Sequence, residues 1–176
     1  ETFKHKCRSV DKFTKLVSVD VRTFLNEYVD IKVEGKTDDE KAINCLKWVN
    51  KNLKYRSDKS TINLEEYWYY PHETRTMGEG DCEDGAILLY NMMVANGIPY
   101  YKMQCVFGNV INNGKPTGHL YIIYYHEDSN SWKILDWCYF ADLNDMDKRT
   151  TWKNLAVYLD PFVTFNKNYI FKRTKI

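Results

Sequence analysis

The pattern of apolar residues changes once along the chain, near Gly97, and this change limits the fold class. Before it, three stretches have apolar residues at helical spacing: residues 20–29, a segment that follows Thr37, and a segment that begins at Asp81 or Cys82. After it, stretches rich in β-forming residues predict strands at 101–111, 120–125 and 132–139. Helices first and an antiparallel sheet second predict an α+β domain.

Local signals mark the ends of these elements. Thr37 and Glu40 have the spacing of a capping box, which predicts the start of the second helix. Gly97, with Pro99 just beyond it, predicts the end of the third helix. The Asn-Asn-Gly sequence at 112–114 predicts a turn after the first strand. The tail predicts a helix-like piece at 152–159 and a last strand at 169–171.

Length and charge exclude several classes of protein. The 176 residues predict a single domain, residues 1–176, which can bury about two thirds of its unfolded surface. Lys and Arg number 25 against 24 Asp and Glu, so we expect neither a nucleic-acid partner nor a membrane surface. The longest strongly apolar run, residues 120–125, is too short to span a bilayer. No leader peptide is visible, and the sequence does not indicate a compartment.

One of the five cysteines has an unusual setting. Residues 78–86 are Gly-Glu-Gly-Asp-Cys-Glu-Asp-Gly-Ala, in which Asp81 is a natural N-cap and Cys82 is the first helical residue. The helix dipole favours a thiolate at that position, whereas the carboxylates of Asp81, Glu83 and Asp84 disfavour it. Whether the thiol is ionised therefore depends on a nearby cation, either an imidazolium or a metal ion. The other four cysteines, none in a CxxC pair, we expect to be small apolar side chains.

A histidine and an aspartate of the predicted sheet offer that imidazolium. A four-residue loop at 126–129 would pair Tyr125 with Asn130, and in this register His119 stands directly opposite Asp136 on the same face. A carboxylate beside an imidazole fixes its tautomer and supports its charged form. Asp136 lies in an otherwise apolar run, and a buried carboxylate needs such a partner.

These residues, in this order, resemble the transglutaminase-like superfamily, and within it the bacterial transglutaminase-like cysteine peptidases. Cys82 lies in a Gly-Asp-Cys-Glu-Asp context, His119 opens a strand, and Asp136 ends a Trp-Lys-Ile-Leu-Asp run. The resemblance covers about residues 40–140 and includes a W-x-x-P-x-E-T lead-in, formed by Trp68, Pro71, Glu73 and Thr74. It implies a papain-like α+β fold, with the cysteine at a helix N-terminus packed on an antiparallel sheet.

The resemblance also implies roles for the site residues. Cys82 would be the nucleophile, His119 the general base and then acid, and Asp136 the residue that orients His119. The backbone N–H of Cys82 is one candidate oxyanion donor, and the Trp68 indole is a candidate for the second. Some members of the peptidase branch bind calcium through acidic residues around the cysteine, which here are Asp81 and Glu83.

The acidic residues also have simpler interpretations than a calcium site. Asp81 serves equally as a helix cap, and Glu83 as a solvated side chain. A second acidic stretch, with Asp142, Asp145 and Asp147, lacks the spacing of an EF-hand and predicts a solvated loop. The sequence therefore requires no cofactor and allows calcium.

We expect cysteine-dependent acyl transfer on amide bonds of a protein or peptide, through a thioester, with hydrolysis preferred. The resemblance is to the peptidase branch, and the accessory β-domains of large animal transglutaminases are absent from these 176 residues. Two alternatives stay open. The same triad serves a protein-glutamine transamidase, and a transglutaminase-like fold also serves as a non-catalytic binding module, in which aromatic residues such as Trp68 and Trp137 line a groove.

Overall fold

The computed structural model describes residues 20–57, 67–140, 142, 144–152 and 157–172. His5, Cys7 and residues 153–156, which are half of the predicted helix-like piece at 152–159, lie outside them. The helices are α1 (Asp38–Asn52), α2 (Pro71–Met77) and α3 (Cys82–Ala95). The strands are β1 (Lys54–Tyr55), β2 (Glu79–Gly80), β3 (Met103–Asn112), β4 (Lys115–His126), β5 (Ser131–Leu135), β6 (Tyr158–Phe165) and β7 (Ile170–Lys172). Among these helices, none has the length and apolar character that crossing a bilayer requires.

The first long helix begins where the capping signal predicts. The Thr37 side chain accepts a hydrogen bond from the backbone N–H of Glu40 at 3.2 Å, and the Glu40 carboxylate accepts one from the N–H of Lys36 at 2.6 Å. The apolar stripe of α1 is buried; it consists of Ala42, Ile43, Cys45, Leu46 and Val49. The helix α3 likewise ends at Ala95, two residues before Gly97, as predicted.

The helix predicted at residues 20–29 is wrong beyond its first turn. A single 3₁₀ turn, Val21–Leu25, follows the Asp20 cap, and the chain then continues in extended form. Side chains of α3 bind this extended backbone: Asn91 accepts from the N–H of Glu27 at 3.1 Å, and Asn96 accepts from the N–H of Val33 at 3.0 Å. These contacts replace the hydrogen bonds that a continued helix would make, so tertiary structure overrides the local pattern.

The main sheet has five antiparallel strands in the order β5-β4-β3-β6-β7. Asn113 and Gly114, with φ angles of 50° and 75°, form the predicted turn between β3 and β4. The strand β6 pairs with β3 and covers Tyr158–Phe165, where the sequence predicted part of a helix-like piece. The last strand is where it was predicted. The helices and this sheet together form the mixed α+β architecture predicted from the sequence.

The register of the β4–β5 hairpin differs from the prediction by two residues. Tyr125 pairs with Trp132, so the loop comprises residues 127–130. The pairing of β4 with β5 ends at Ile122 and Leu135, and Asp136 is the first residue after β5 rather than part of it. Because side chains of a strand alternate with a period of two, this even shift keeps the predicted face. His119 and Asp136 therefore meet diagonally.

The helix α3 packs on the sheet through a very close contact at Gly85. A Cβ atom there would lie 2.2 Å from Cε2 and 2.3 Å from Nε1 of the Trp137 indole, so no larger residue fits. The same indole donates a hydrogen bond from Nε1 to the backbone carbonyl of Cys82 at 3.0 Å. The residue after Asp136 thus holds the first turn of α3 against the sheet.

We expect Gly85→Ala to destabilise the fold by about 1–3 kcal/mol, because the added methyl group forces the Trp137 ring out of its place. Urea unfolding followed by circular dichroism measures the difference in free energy of unfolding. Gly118→Ala is the matched control, since a Cβ there meets Phe107 at an ordinary 3.8 Å. Equal stability of the two variants would contradict the close contact.

Candidate active site

Cys82 is the first residue of α3, at the predicted place. The turn before it is fixed by Asp84, whose carboxylate accepts the N–H of Asp81 at 3.2 Å and the N–H of Tyr69 at 2.9 Å. Asp84 also packs against Gly80, where a Cβ would lie only 2.6 Å from the Asp84 Cβ. The segment that carries the predicted lead-in therefore braces the turn from which the Cys82 thiol projects.

His119 and Asp136 form a buried hydrogen-bonded pair. The Nε2 atom of His119 lies 2.7 Å from Oδ2 of Asp136, and the two side chains are 5% and 0% exposed. The Tyr158 hydroxyl donates to the same Oδ2 at 2.8 Å, and the backbone N–H of Cys138 donates to Oδ1 at 2.9 Å. Both carboxylate oxygens therefore have partners, as a buried charge requires.

The third predicted residue, Cys82, interacts with this pair. Since Nε2 of His119 binds Asp136, the ring nitrogen available to the thiol is Nδ1. Burial lowers the pKa of His119, but the charge and hydrogen bond of Asp136, together with a hydrogen bond to Cys82, outweigh it and raise the pKa to about 10. The structure thus brings Cys82, His119 and Asp136 together, with a charged imidazolium at neutral pH.

A second thiol, that of Cys138, lies within 4.8 Å of ligand atoms of His119 and Asp136. Burial raises its pKa well above the ordinary range, and the charge of Asp136 raises it further. Cys138 therefore stays protonated at neutral pH and is a poor nucleophile. It was expected only as a small apolar side chain, and its place beside the pair was not predicted.

The pair opens onto a cavity of about 300 Å³. Its lining is mostly aromatic and consists of Tyr55, Asn112, His119, Trp137, Cys138 and Tyr139. Tyr55 is 57% exposed and packs 5.9 Å from the Trp137 ring, and the Tyr139 ring lies 5.1 Å from that of His119. This volume suits one or two side chains of a peptide rather than a large cofactor.

The two predicted calcium ligands are both buried, at 7% exposed for Asp81 and 3% for Glu83. Glu83 is therefore not the solvated side chain of the simpler interpretation; one of its oxygens accepts a hydrogen bond from the Cys82 thiol at 3.1 Å. Two buried carboxylates have the hard oxygen donors that calcium prefers. Among the described residues, neither joins a group of three metal-ligating side chains, so backbone carbonyls and water would complete the shell.

Trp68 is completely buried, and its ring stacks on Phe107 and Phe165 with centroids 6.4 Å away in each case. This placement does not favour the predicted role of its indole as an oxyanion donor, because a substrate carbonyl has no path to a side chain without exposed surface. The backbone N–H of Cys82, in the first turn of α3, has no partner within the helix, which keeps it as a candidate donor.

Tyr158 is a second site residue, beside Cys138, that the sequence analysis missed. It lies on β6 and reaches Asp136 only because β6 pairs with β3. Its ring also packs against Tyr121 at 4.7 Å, and Tyr121 stacks on His119 at 5.9 Å. The strand-like run of residues 157–165 was the sequence signal for a strand that carries Tyr158. Its position beside β3 depends on pairing between distant segments, which a local pattern does not indicate.

We expect Asp136→Asn to lower the pKa of His119 from about 10, because burial is then opposed by the contact with Cys82 alone. In the unaltered protein the imidazole stays protonated up to pH 9, whereas in the variant it should lose its proton at a lower pH. An NMR titration of the His119 ring measures this directly. Asp39→Asn, which changes a carboxylate away from His119, is the control. Equal titration curves for the unaltered protein and the two variants would contradict the prediction.

Comparisons with known proteins agree with this geometry. The model of the transglutaminase-like domain family matches residues 26–145, more than half of the chain. Structures of Legionella pneumophila LapG, calcium-bound and EGTA-treated, match with TM-scores of 0.63 and 22% identity, over 79% of this chain and 71% or 69% of theirs. A candidate cysteine protease from Cytophaga hutchinsonii matches at 19% identity over 91% of this chain and 47% of its own, with a TM-score of 0.47 that carries no argument. Among curated proteins none matches. The chain therefore belongs to the transglutaminase-like domain family, and it shares its mixed α+β fold with LapG.

Proposed function

We propose that the protein is a cysteine hydrolase that cleaves an amide bond of a protein or peptide through a thioester intermediate. The observation that carries this proposal is the buried His119–Asp136 pair, 2.7 Å apart, beside a thiol at a helix N-terminus. An imidazolium whose pKa is raised to about 10 supplies the cation that offsets the carboxylates around Cys82. Membership of the transglutaminase-like family supports the same chemistry.

The residues act in sequence on the bound amide. The Cys82 sulfur attacks the carbonyl carbon, and the backbone N–H of Cys82 donates to the oxyanion that forms. His119 then gives its proton to the leaving amine, so that the C–N bond breaks and a thioester remains. In the second half His119 takes a proton from water, which attacks the thioester and releases the acid. Asp136 keeps the imidazole in place through both halves, and Tyr158 and the N–H of Cys138 keep Asp136 in place.

The lining of the cavity supports a peptide substrate. Three aromatic rings, those of Tyr55, Trp137 and Tyr139, stand around His119, and Tyr55 is exposed enough to contact a bound chain. Aromatic walls with few polar groups favour an extended segment with apolar side chains. Transamidation differs only in the acceptor, since an amine can replace water at the thioester; our preference for hydrolysis rests on the resemblance to the peptidase branch.

We expect a glutamine-containing peptide library, incubated with the protein and a labelled amine, to give cleaved or deamidated peptides. Cys82→Ala should abolish product, a loss of at least about 1,000-fold, because Cys138, the thiol that lines the cavity, stays protonated and cannot replace it. Mass spectrometry of the products distinguishes hydrolysis from amine incorporation. Cys138→Ser, which removes the neighbouring thiol, is the matched control and should retain product formation.

The same assay decides between the classes of function. Amine incorporation as the main product would replace hydrolysis by transamidation with the same residues. Product formation that survives Cys82→Ala would refute the mechanism. If no product forms and iodoacetamide labels Cys82 no faster than Cys138, the binding-module alternative is correct.

Calcium enters this proposal as an ion held by Asp81 and Glu83, at the first turn of α3. LapG is known in a calcium-bound form, and the two carboxylates here are buried and adjacent to the nucleophile. A bound Ca²⁺ supplies positive charge beside the sulfur. Asp81 and Glu83 themselves keep that charge near the thiol, and Glu83 then no longer competes for its proton.

We expect EGTA to lower the rate of the unaltered protein by about tenfold or more, which corresponds to a relief of charge repulsion near 1.4 kcal/mol. Asp81→Asn should be slow with or without EGTA, since an asparagine caps the helix as well but carries no charge. Rate assays measure the effect of EGTA, and calorimetric titration with calcium measures binding of the ion. An unaltered protein that binds no calcium and ignores EGTA would remove calcium from the proposal and leave acyl transfer intact.

A further inference from the structure

A second cavity, of about 330 Å³, lies at the opposite end of β4 from His119. Its deepest polar group is the imidazole of His126, the last residue of β4, with a side chain that is 2% exposed. His126 is seven residues beyond His119, roughly 23 Å along the strand. The carboxylates that line this cavity are Asp39, Glu40, Asp128, Asp145 and Asp147. This cavity is therefore separate from the candidate active site.

The two ring nitrogens of His126 face different groups. Its Nδ1 hydrogen-bonds the Ser129 hydroxyl at 2.7 Å, and that hydroxyl lies 2.7 Å from the hydroxyl of Ser131. The other nitrogen, Nε2, lies 3.2 Å from Oδ2 of Asp39 and 3.6 Å from Oδ1 of Asp147, which are ion pairs only when the imidazole is protonated. In the neutral tautomer with its proton on Nδ1, this nearly buried nitrogen presents a lone pair to the carboxylates and so to a cation that they hold.

The carboxylates converge on the same point. Oxygens of Asp39 and Asp128 and a ring nitrogen of His126 all lie within 4.8 Å of one another. The Tyr124 hydroxyl donates to Oδ1 of Asp39 at 2.5 Å, which leaves Oδ2 turned towards the imidazole. Ligands of one ion, bound at roughly 2.0–2.2 Å, lie up to about 4.4 Å apart, so these atoms need to move only slightly to share it.

The charges of this cavity are poorly balanced by the protein itself. Five carboxylates line it, and Lys47 is the cationic side chain among its described lining residues. Asp145 has a partner in Lys148, at 3.5 Å, whereas oxygens of Asp39 and Asp128 lie within 4.8 Å of each other and of a His126 nitrogen, and an Asp147 oxygen lies 3.6 Å from the same ring. Carboxylates this close repel unless a cation lies between them.

We propose that His126, Asp39, Asp128 and Asp147 form a binding site for a divalent metal ion of the Mn²⁺ type. One imidazole with several carboxylates suits Mn²⁺, whereas calcium prefers oxygen ligands alone. A ligating histidine usually has its other nitrogen held by an oxygen, and Ser129 holds it here. The ion would join three segments: the start of α1, the β4–β5 loop and the loop that contains Asp147.

The test is a Mn²⁺ titration of the chelator-treated protein, with free Mn²⁺ measured by its EPR signal. We expect one Mn²⁺ bound per chain, and at 100-fold excess over Kd a rise of about 5–10 °C in melting temperature. The double variant Asp128→Asn/Asp147→Asn should bind at least tenfold more weakly. Both residues are exposed, the Asp147 side chain by 77%, so the variant should fold, as circular dichroism without metal can check.

Two further variants separate this site from others. His72→Ala removes an exposed histidine that is paired with Glu27 at 2.8 Å and has no such cluster of carboxylates; it should bind Mn²⁺ normally. Asp81→Asn, which alters the calcium site of the proposed function, should also bind normally. Absence of Mn²⁺ binding, equal binding by the double variant, or loss of binding in Asp81→Asn would each overturn the proposal. None of these outcomes depends on whether the protein cleaves amides.

Discussion

The buried carboxylate of Asp136 is the constraint on which the candidate site depends. A charged group with no exposed surface is tolerated only if its oxygens are bound, and here three donors bind them. One donor is a ring nitrogen from β4, one a hydroxyl from β6, and one a backbone N–H two residues along the chain. The carboxylate therefore determines where three separate parts of the chain must meet.

The next residue, Trp137, ties the sheet to the helix that carries the thiol. Its indole occupies the space above Gly85 and binds the carbonyl of Cys82. Asp136 and Trp137 are adjacent, so a single dipeptide positions both the His119 imidazole and the first turn of α3, which carries Cys82. Small displacements of this dipeptide would move the imidazole and the sulfur together. That arrangement explains how a site built from distant segments keeps its geometry.

The sequence predicted the parts of this molecule that depend on local signals. The helices α1 and α3 begin directly after the caps Thr37 and Asp81, as predicted, because caps and apolar spacing act within one turn. Residues 20–29 were predicted wrongly, since Asn91 and Asn96 of a distant helix bind that backbone. The hairpin register was wrong by two residues, so His119 and Asp136 meet as predicted, but diagonally rather than directly opposite one another. Tyr158 and Cys138 were missed because only the folded sheet brings them near.

The position of β6 has a consequence for how this family is delimited. The family match ends at residue 145, yet Tyr158 comes from beyond it and β6 sits in the middle of the sheet, between β3 and β7. A fragment cut at the family boundary would expose the edge of β3 and leave the buried Asp136 carboxylate without the Tyr158 hydroxyl as a donor. The residues matched by the family model thus include Cys82, His119 and Asp136, whereas one hydroxyl that binds the buried Asp136 carboxylate comes from outside the match.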